Sequence, residues 1–199
     1  MKTIIVDATG RSEQDSKTKY LANRIIEKLN ISDYEVVDLY KQNVPFVTKE
    51  IIESWKSDSG SEDALSLLRQ FEGCDQVIFI YPTWNWSVPA ALRAYMDLII
   101  ISGRTFGYNN RGKSEGYLNN KKAILISTTG GKTHSRIIAS ILKAQDGNNY
   151  MQQVLGTIGI KNITKYSIDN TAYDFNDQNG NYSHDLYKQK VDCIVKRIT

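Results

Sequence analysis

Hydrophobic positions along the chain switch between two periods. Short runs rich in β-branched residues predict five strands: "TIIVDA" (Thr3 to Ala8), "YEVVDLY" (Tyr34 to Tyr40), "QVIFIY" (Gln76 to Tyr81), "AILIST" (Ala123 to Thr128) and "NITKYSI" (Asn162 to Ile168). Between them the apolar residues recur every three to four positions. Leu21, Ile25 and Leu29, beside Ala22 and Ile26, mark one helix face. "DALSLLRQF" (Asp63 to Phe71) is a second, stopped near Gly73. Val88, Ala91, Leu92, Tyr95, Met96 and Ile99 form the strongest helical stripe, with Pro89 tolerated in its first turn. Further helices are expected around Ser135 to Lys143, Met151 to Ile158 and Ser183 to Arg197. Lys41 to Gly60 is longer and irregular, an expected insertion near the ligand-binding edge of the sheet.

Strands alternating with helices imply a parallel sheet covered on both faces. The third run is the most apolar, as a central strand buried on both sides should be. Five such strands in one α/β domain spanning residues 1–199 predict a flavodoxin-like doubly wound sheet, order 2-1-3-4-5. Ligands of such sheets sit beyond the strands' carboxyl ends, where the order reverses between the first and third strands. Three loops therefore matter.

The first is "ATGRSEQDSKTKYLA", Ala8 to Ala22. Ser16 and Thr18 fall where the first helix begins, and a helix amino end suits a phosphate. Hydroxyls at Thr9, Ser16 and Thr18 add donors, although Ser and Thr are also ordinary caps. Neither a G-x-x-x-x-G-K-[ST] loop nor a G-x-G-x-x-G turn follows the first strand, which disfavours a nucleoside triphosphate or a Rossmann-bound dinucleotide. The second loop, "PTWNWS" (Pro82 to Ser87), sets Asn85 between Trp84 and Trp86. Two tryptophans can be core packing, but a strand-to-helix turn at a ligand edge is a poor place for it. A planar ligand would use the flat neighbours and the amide. The third loop, "STTGG" (Ser127 to Gly131), carries paired glycines that let a backbone approach a ligand closely, or simply turn the chain. A phosphorylated planar ring system, above all FMN, satisfies all three loops.

Charge and composition narrow the class. The chain of 199 residues has 41% hydrophobic and 24% charged residues, ordinary for a soluble globular domain. A net charge of +3 with scattered lysines and arginines gives no nucleic-acid footprint. No apolar stretch reaches the roughly 18 residues of a membrane span, and "MKTIIVDATG" lacks a signal peptide's long apolar region. Cys74 and Cys193 are expected as two buried, reduced thiols of a cytoplasmic protein. His134 and His184 have no ligand-spaced Cys or His, so no metal is expected; His134, beside Ser135, reads as a cap or surface residue rather than a proton donor.

"PTWNWSVPAALRAYMDLIIISGRTFGY" is similar to the "P-M-Y-N-F-x-[VI]-P-x-x-L-K-x-[WY]-[IL]-D" motif, with its "G-x-T-F-x-Y" tail, of the FMN-dependent NADH azoreductases. "KKAILISTTGG" resembles that family's "K-K-A-x-x-[IL]-x-[ST]-R-G-G", and Ser16 to Thr18 match its phosphate loop. The likeness runs from end to end of the chain. It implies non-covalent FMN held at its phosphate by Thr9, Ser16, Lys17 and Thr18. The ring would fall to Pro82, Thr83, Trp84, Asn85 and Trp86, with Thr128, Thr129, Gly130 and Gly131. Tyr108 corresponds to a substrate-side aromatic near a dimer interface. The family's Met-Tyr before the Asn is Thr83-Trp84 here, its following Phe is Trp86, its Arg before the glycines is Thr129, and the Arg of its tail is Gly107.

The activity so implied is that of a homodimeric, cytoplasmic NAD(P)H:quinone oxidoreductase and azoreductase. NADH or NADPH would deliver hydride to the flavin and leave before a quinone or azo compound takes it, with no side chain as general acid or base. One rival is a flavodoxin-type electron carrier, which would be strongly acidic where this chain has a pI near 8.7. A general FMN-dependent NAD(P)H oxidoreductase is another. A receiver domain would need an Asp at the end of the third strand, where Tyr81 and Pro82 stand. A structural protein on the same fold would be colourless.

Overall fold

The computed structural model describes residues 1–55, 62–132, 147–175, 179 and 183–197. Its elements in chain order are β1 (Thr3–Asp7), α1 (Lys17–Leu29), β2 (Tyr34–Asp38), α2 (Lys49–Ser54), α3 (Glu62–Gly73), β3 (Gln76–Pro82) and α4 (Ala90–Ile99). They continue with β4 (Phe106–Tyr108), β5 (Ser114–Gly116), β6 (Lys122–Thr128), α5 (Gly147–Thr157), β7 (Asn162–Ile168) and α6 (His184–Val195). The expected helix around Ser135 to Lys143, and His134, lie outside the described residues.

Five strands pair in the order β2-β1-β3-β6-β7, all parallel. Numbered among themselves they run 2-1-3-4-5, the flavodoxin-like order. The central strands are buried nearly throughout, because helices cover both of their faces. The edge strands β2 and β7 expose most of their residues. Side-chain alternation divides the core. Ile4, Val6, Val77, Phe79, Ala123 and Leu125 pack with α3, α4 and α5 on one face. Ile5, Ile78, Ile80, Ile124 and Ile126 pack with α1 and α6 on the other.

Four local features differ from the sequence reading. Pro89 stands just before α4 as its N-cap, where its missing N–H costs nothing. The irregular stretch after β2 contains α2, capped by the Thr48 hydroxyl. Cys193 is exposed on α6; only Cys74 is buried, and burial pushes its thiol pKa up. The tail after α4 folds back as an antiparallel hairpin, β4–β5. Gly116 of this hairpin lies against the backbone at Ile158 and Gly159, where a Cβ would come within 2.1 Å. Leu118 N–H donates to Ile158 O at 2.9 Å, fixing the hairpin to the end of α5.

Candidate functional site at the carboxyl rim of the sheet

The first loop enters α1 through Ser16, whose hydroxyl accepts from Lys19 N–H at 3.1 Å. Capping is thus real, and it orients the remaining amides of the first turn outward. Thr18 is buried, and its hydroxyl meets that of Thr128 at 2.8 Å, stapling the helix to the end of β6. Lys17 donates from Nζ to the carbonyl of Thr171, and burial pulls its ammonium pKa below the usual lysine value. Thr9 is placed differently from expectation. Its N–H and hydroxyl both bond to Asp7 Oδ1, at 2.9 and 2.8 Å. In this arrangement Thr9 is bonded to Asp7 and shapes the loop ahead of the helix end.

The second loop is a two-residue reversal. Trp84 and Ser87 exchange backbone hydrogen bonds of 2.9 and 2.8 Å. The residues between them, Asn85 and Trp86, hold φ of 49° and 63°. Positive φ at both central positions defines a type I′ turn, which favours Asn and Gly; a tryptophan there is strained. Core packing of this pair is excluded, since Trp84 is 47% and Trp86 58% exposed. Val88 and Pro89 behind the turn are buried, so the turn stands on a firm base while its indoles face outward.

The second and third loops are joined directly. Thr83 N–H donates to Thr128 O at 2.8 Å, and the Thr129 hydroxyl donates to that of Thr83 at 3.1 Å. Gly130 and Gly131 are exposed, with open space where a side chain would project and no positive φ. Their value is therefore room rather than unusual backbone. A fourth loop, which sequence reasoning missed, completes the rim. Asn170, Thr171 and Ala172 donate their N–H groups to Gly131, Thr129 and Gly130 carbonyls at 2.9 to 3.0 Å. Thr171 also accepts from Lys17, so this loop ties the first to the third. The "DNT" after the last strand was its only signal in the sequence.

Asn148 was missed as well. Its Oδ1 accepts from Tyr81 Oη at 2.7 Å and Ser127 Oγ at 3.1 Å, beneath the second and third loops. No periodicity could have revealed it.

Tyr108 is not brought to these loops. The rim lies at the start of α4, and the hairpin follows the helix's far end. The helix between them has ten residues, a length of about 15 Å. Tyr108 itself is 66% exposed.

Cationic helix end, indole-bearing turn and open glycine loop thus meet along one edge. An anion fits the first, a flat ring the second and third, so a phosphorylated planar cofactor fits the donor set. Among the described residues, no helix is long and apolar enough to cross a membrane.

A family model described as a flavodoxin-like fold matches residues 1–190. An FMN-dependent NADH:quinone oxidoreductase 2 of Clostridium perfringens (strain 13 / Type A) is 34% identical over 178 residues, covering 85% of this chain and 86% of that protein. An FMN-dependent NADH:quinone oxidoreductase of Macrococcus caseolyticus is 33% identical over 189 residues, covering 84% and 86%. The crystal structure of an FMN-dependent NADH-azoreductase from Bacillus anthracis, in complex with FMN, superposes with a TM-score of 0.80 at 20% identity, covering 98% and 96%; at that identity the fold is what is shared.

Proposed function

The chain belongs to the flavodoxin-like fold family, among relatives that are FMN-dependent NADH:quinone oxidoreductases, and from that premise we propose that it is itself an FMN-dependent NADH:quinone oxidoreductase with azoreductase activity. One observation carries the reading: the α1 amino end, the Trp84–Ser87 turn and the Thr128–Gly131 loop are hydrogen-bonded into a single rim. FMN, when bound, would supply the two-electron redox chemistry between NADH and a quinone or azo compound.

The protein's part is to bind, orient and exclude. Lys17 and the first turn of α1, capped by Ser16, would hold the phosphate. Thr18 and Thr128 brace that end against the sheet. Pro82 and Thr83 fix the base of the second turn. The Asn85 amide would meet the polar edge of the ring, with Trp84 and Trp86 beside it. Thr129, Gly130 and Gly131 leave the other edge unobstructed. Few fixed polar groups reach the space above the ring, so acceptors of different shape are accepted.

Each site is completed by a second copy, whose Tyr108 lies on the substrate side. Residues 1–199 act as one such unit, paired as a homodimer. The partners are small quinones and azo compounds; nucleic acid and membrane are not among them. We place the protein in the cytoplasm, in keeping with its two unpaired thiols.

The test is the visible spectrum of the purified protein, with the released cofactor identified, followed by initial rates. A yellow protein releasing FMN is expected. Varying NADH at fixed benzoquinone concentrations should give parallel double-reciprocal lines, because one exposed ring face admits one planar guest at a time. Azo dyes should react more slowly, since splitting one to amines takes two hydride deliveries. A colourless protein that takes up no FMN sinks the reading, and intersecting lines sink the shared site.

A further inference from the structure

Tyr81, Ser127 and Ser167 stand side by side on three neighbouring strands, in register. They lie one residue below Pro82, Thr128 and Ile168, where those strands end at the rim. Asn148, the second residue of α5, gathers the row. Its Oδ1 accepts from Tyr81 Oη at 2.7 Å and from Ser127 Oγ at 3.1 Å, and its Nδ2 donates to Ser167 Oγ at 3.2 Å. The Ser127 and Ser167 hydroxyls meet at 2.9 Å. Tyr81 and Ser127 are fully buried. Gly147, one residue earlier, is buried against the second loop, where a Cβ would lie 3.1 Å from Ser87 O. Ser87 closes the Trp84–Ser87 turn, so the start of α5 backs directly onto that turn.

Holding α5 on the sheet does not need this row. Met151 and Leu155 of the helix are already fully buried in the core. Apolar side chains of similar shape would serve attachment equally well, without taking hydroxyls and an amide out of water. A satisfied polar network adds a single fixed arrangement, because any displacement leaves a buried donor without its bond. Thr128, the residue after Ser127, points to the opposite face and meets Thr18 of α1. The third loop is thus held at consecutive residues from both faces, by α1 on the phosphate side and by α5 on the other. We propose that Asn148 is the positioning residue for the flavin ring: through Tyr81 and Ser127 it fixes the spacing between the Trp84–Ser87 turn and the Thr128–Gly131 loop. The assignment rests on the oxidoreductase reading above and separates what places the ring from what holds the phosphate.

The whole chain, stripped of flavin, is titrated with FMN and with riboflavin, which has the same ring and no phosphate. Asn148→Leu keeps the volume and removes the acceptor shared by Tyr81 and Ser127. It should weaken both flavins by the same factor, about tenfold, because the phosphate end is untouched. It should also alter the visible circular dichroism of the bound flavin, which reports the ring's surroundings. Asn148→Asp keeps Oδ1 for both donors and should return riboflavin affinity and that spectrum to those of the parent. Riboflavin, being uncharged, is the probe for this rescue. If Asn148→Leu does not fold, Tyr81→Phe carries the same comparison: it removes one donor, leaves the Ser127 bond, and should produce a smaller, equal loss of both flavins. A loss confined to FMN overturns the assignment, as does a lowered urea midpoint with riboflavin affinity unchanged. So does an Asn148→Asp protein that binds riboflavin no better than Asn148→Leu. A parent that binds neither flavin overturns the oxidoreductase reading together with this assignment; a parent that binds FMN leaves that reading standing whatever the variants do.

Discussion

Trp86 holds a φ of 63°, a conformation that costs a bulky L-residue about 1–2 kcal/mol. The surrounding turn keeps it there, and at 58% exposure the indole recovers little of that by burial. Its position makes sense as a surface held ready for a flat ligand. Trp86→Gly would create Asn85-Gly, the pair most favoured in a type I′ turn. The variant should therefore unfold in urea at the same denaturant concentration as the parent or higher, while retaining less FMN. A matched loss of stability and flavin would instead make Trp86 a structural residue. Asn85→Gly removes the amide and keeps the turn, whereas Asn85→Leu would strain φ 49° and confuse the two effects. Flavin affinity of Asn85→Gly should fall by about 1–3 kcal/mol with little change in the unfolding midpoint. The sequence identified these residues because Trp-Asn-Trp after an apolar strand is rare chemistry in a telling place. It could not reveal that Thr9 would turn inward, because that depends on Asp7 being buried without another partner for Oδ1.

Elements whose apolar period was unambiguous emerged close to where the pattern put them. The five strands and α1, α3, α4, α5 and α6 bury the faces their spacing marks. Short elements did not announce themselves. Strands β4 and β5 have three residues each and no apolar alternation; they exist because Gly116 can press against Gly159. That contact predicts an asymmetry between two glycines of the hairpin. At Gly116 an added Cβ meets backbone at 2.1 Å, which cannot swing aside. Gly116→Ala should destabilise by about 1–3 kcal/mol, read from urea unfolding. At Gly107 the Cβ meets the Tyr117 hydroxyl at 1.9 Å, the far end of a half-exposed side chain that can rotate away. Gly107→Ala should cost under about 0.5 kcal/mol. Equal losses at the two positions would mean the hairpin is not anchored through Gly116. The fourth loop was hidden for another reason: its Asn170–Ala172 amides act through backbone bonds, which side-chain chemistry does not encode.

At the scale of the whole molecule, the homodimer proposed above would cover aromatic side chains that one chain leaves exposed. Trp84, Trp86, Tyr108 and Tyr117 are all exposed, and the hairpin tyrosines follow the far end of α4, a helix about 15 Å long that starts at the rim. Under a twofold axis, a group too far to serve its own site can serve its neighbour's, and each copy then lends what it receives. Light scattering at micromolar concentration should report twice the 22.6 kDa of the chain. Mixing variants asks the sharper question. Asn85→Gly weakens flavin retention in its own loops but carries a normal Tyr108. Tyr108→Ala removes the roof but keeps normal loops. If Tyr108 acts across the interface, a mixed dimer rebuilds one complete site: the loops of the Tyr108→Ala copy under the tyrosine of the Asn85→Gly copy. Co-refolded mixtures should therefore reduce benzoquinone faster than either variant alone at limiting FMN. If Tyr108 acts within its own chain, every site in the mixture carries one of the two defects, and the mixture stays at the average of its parts.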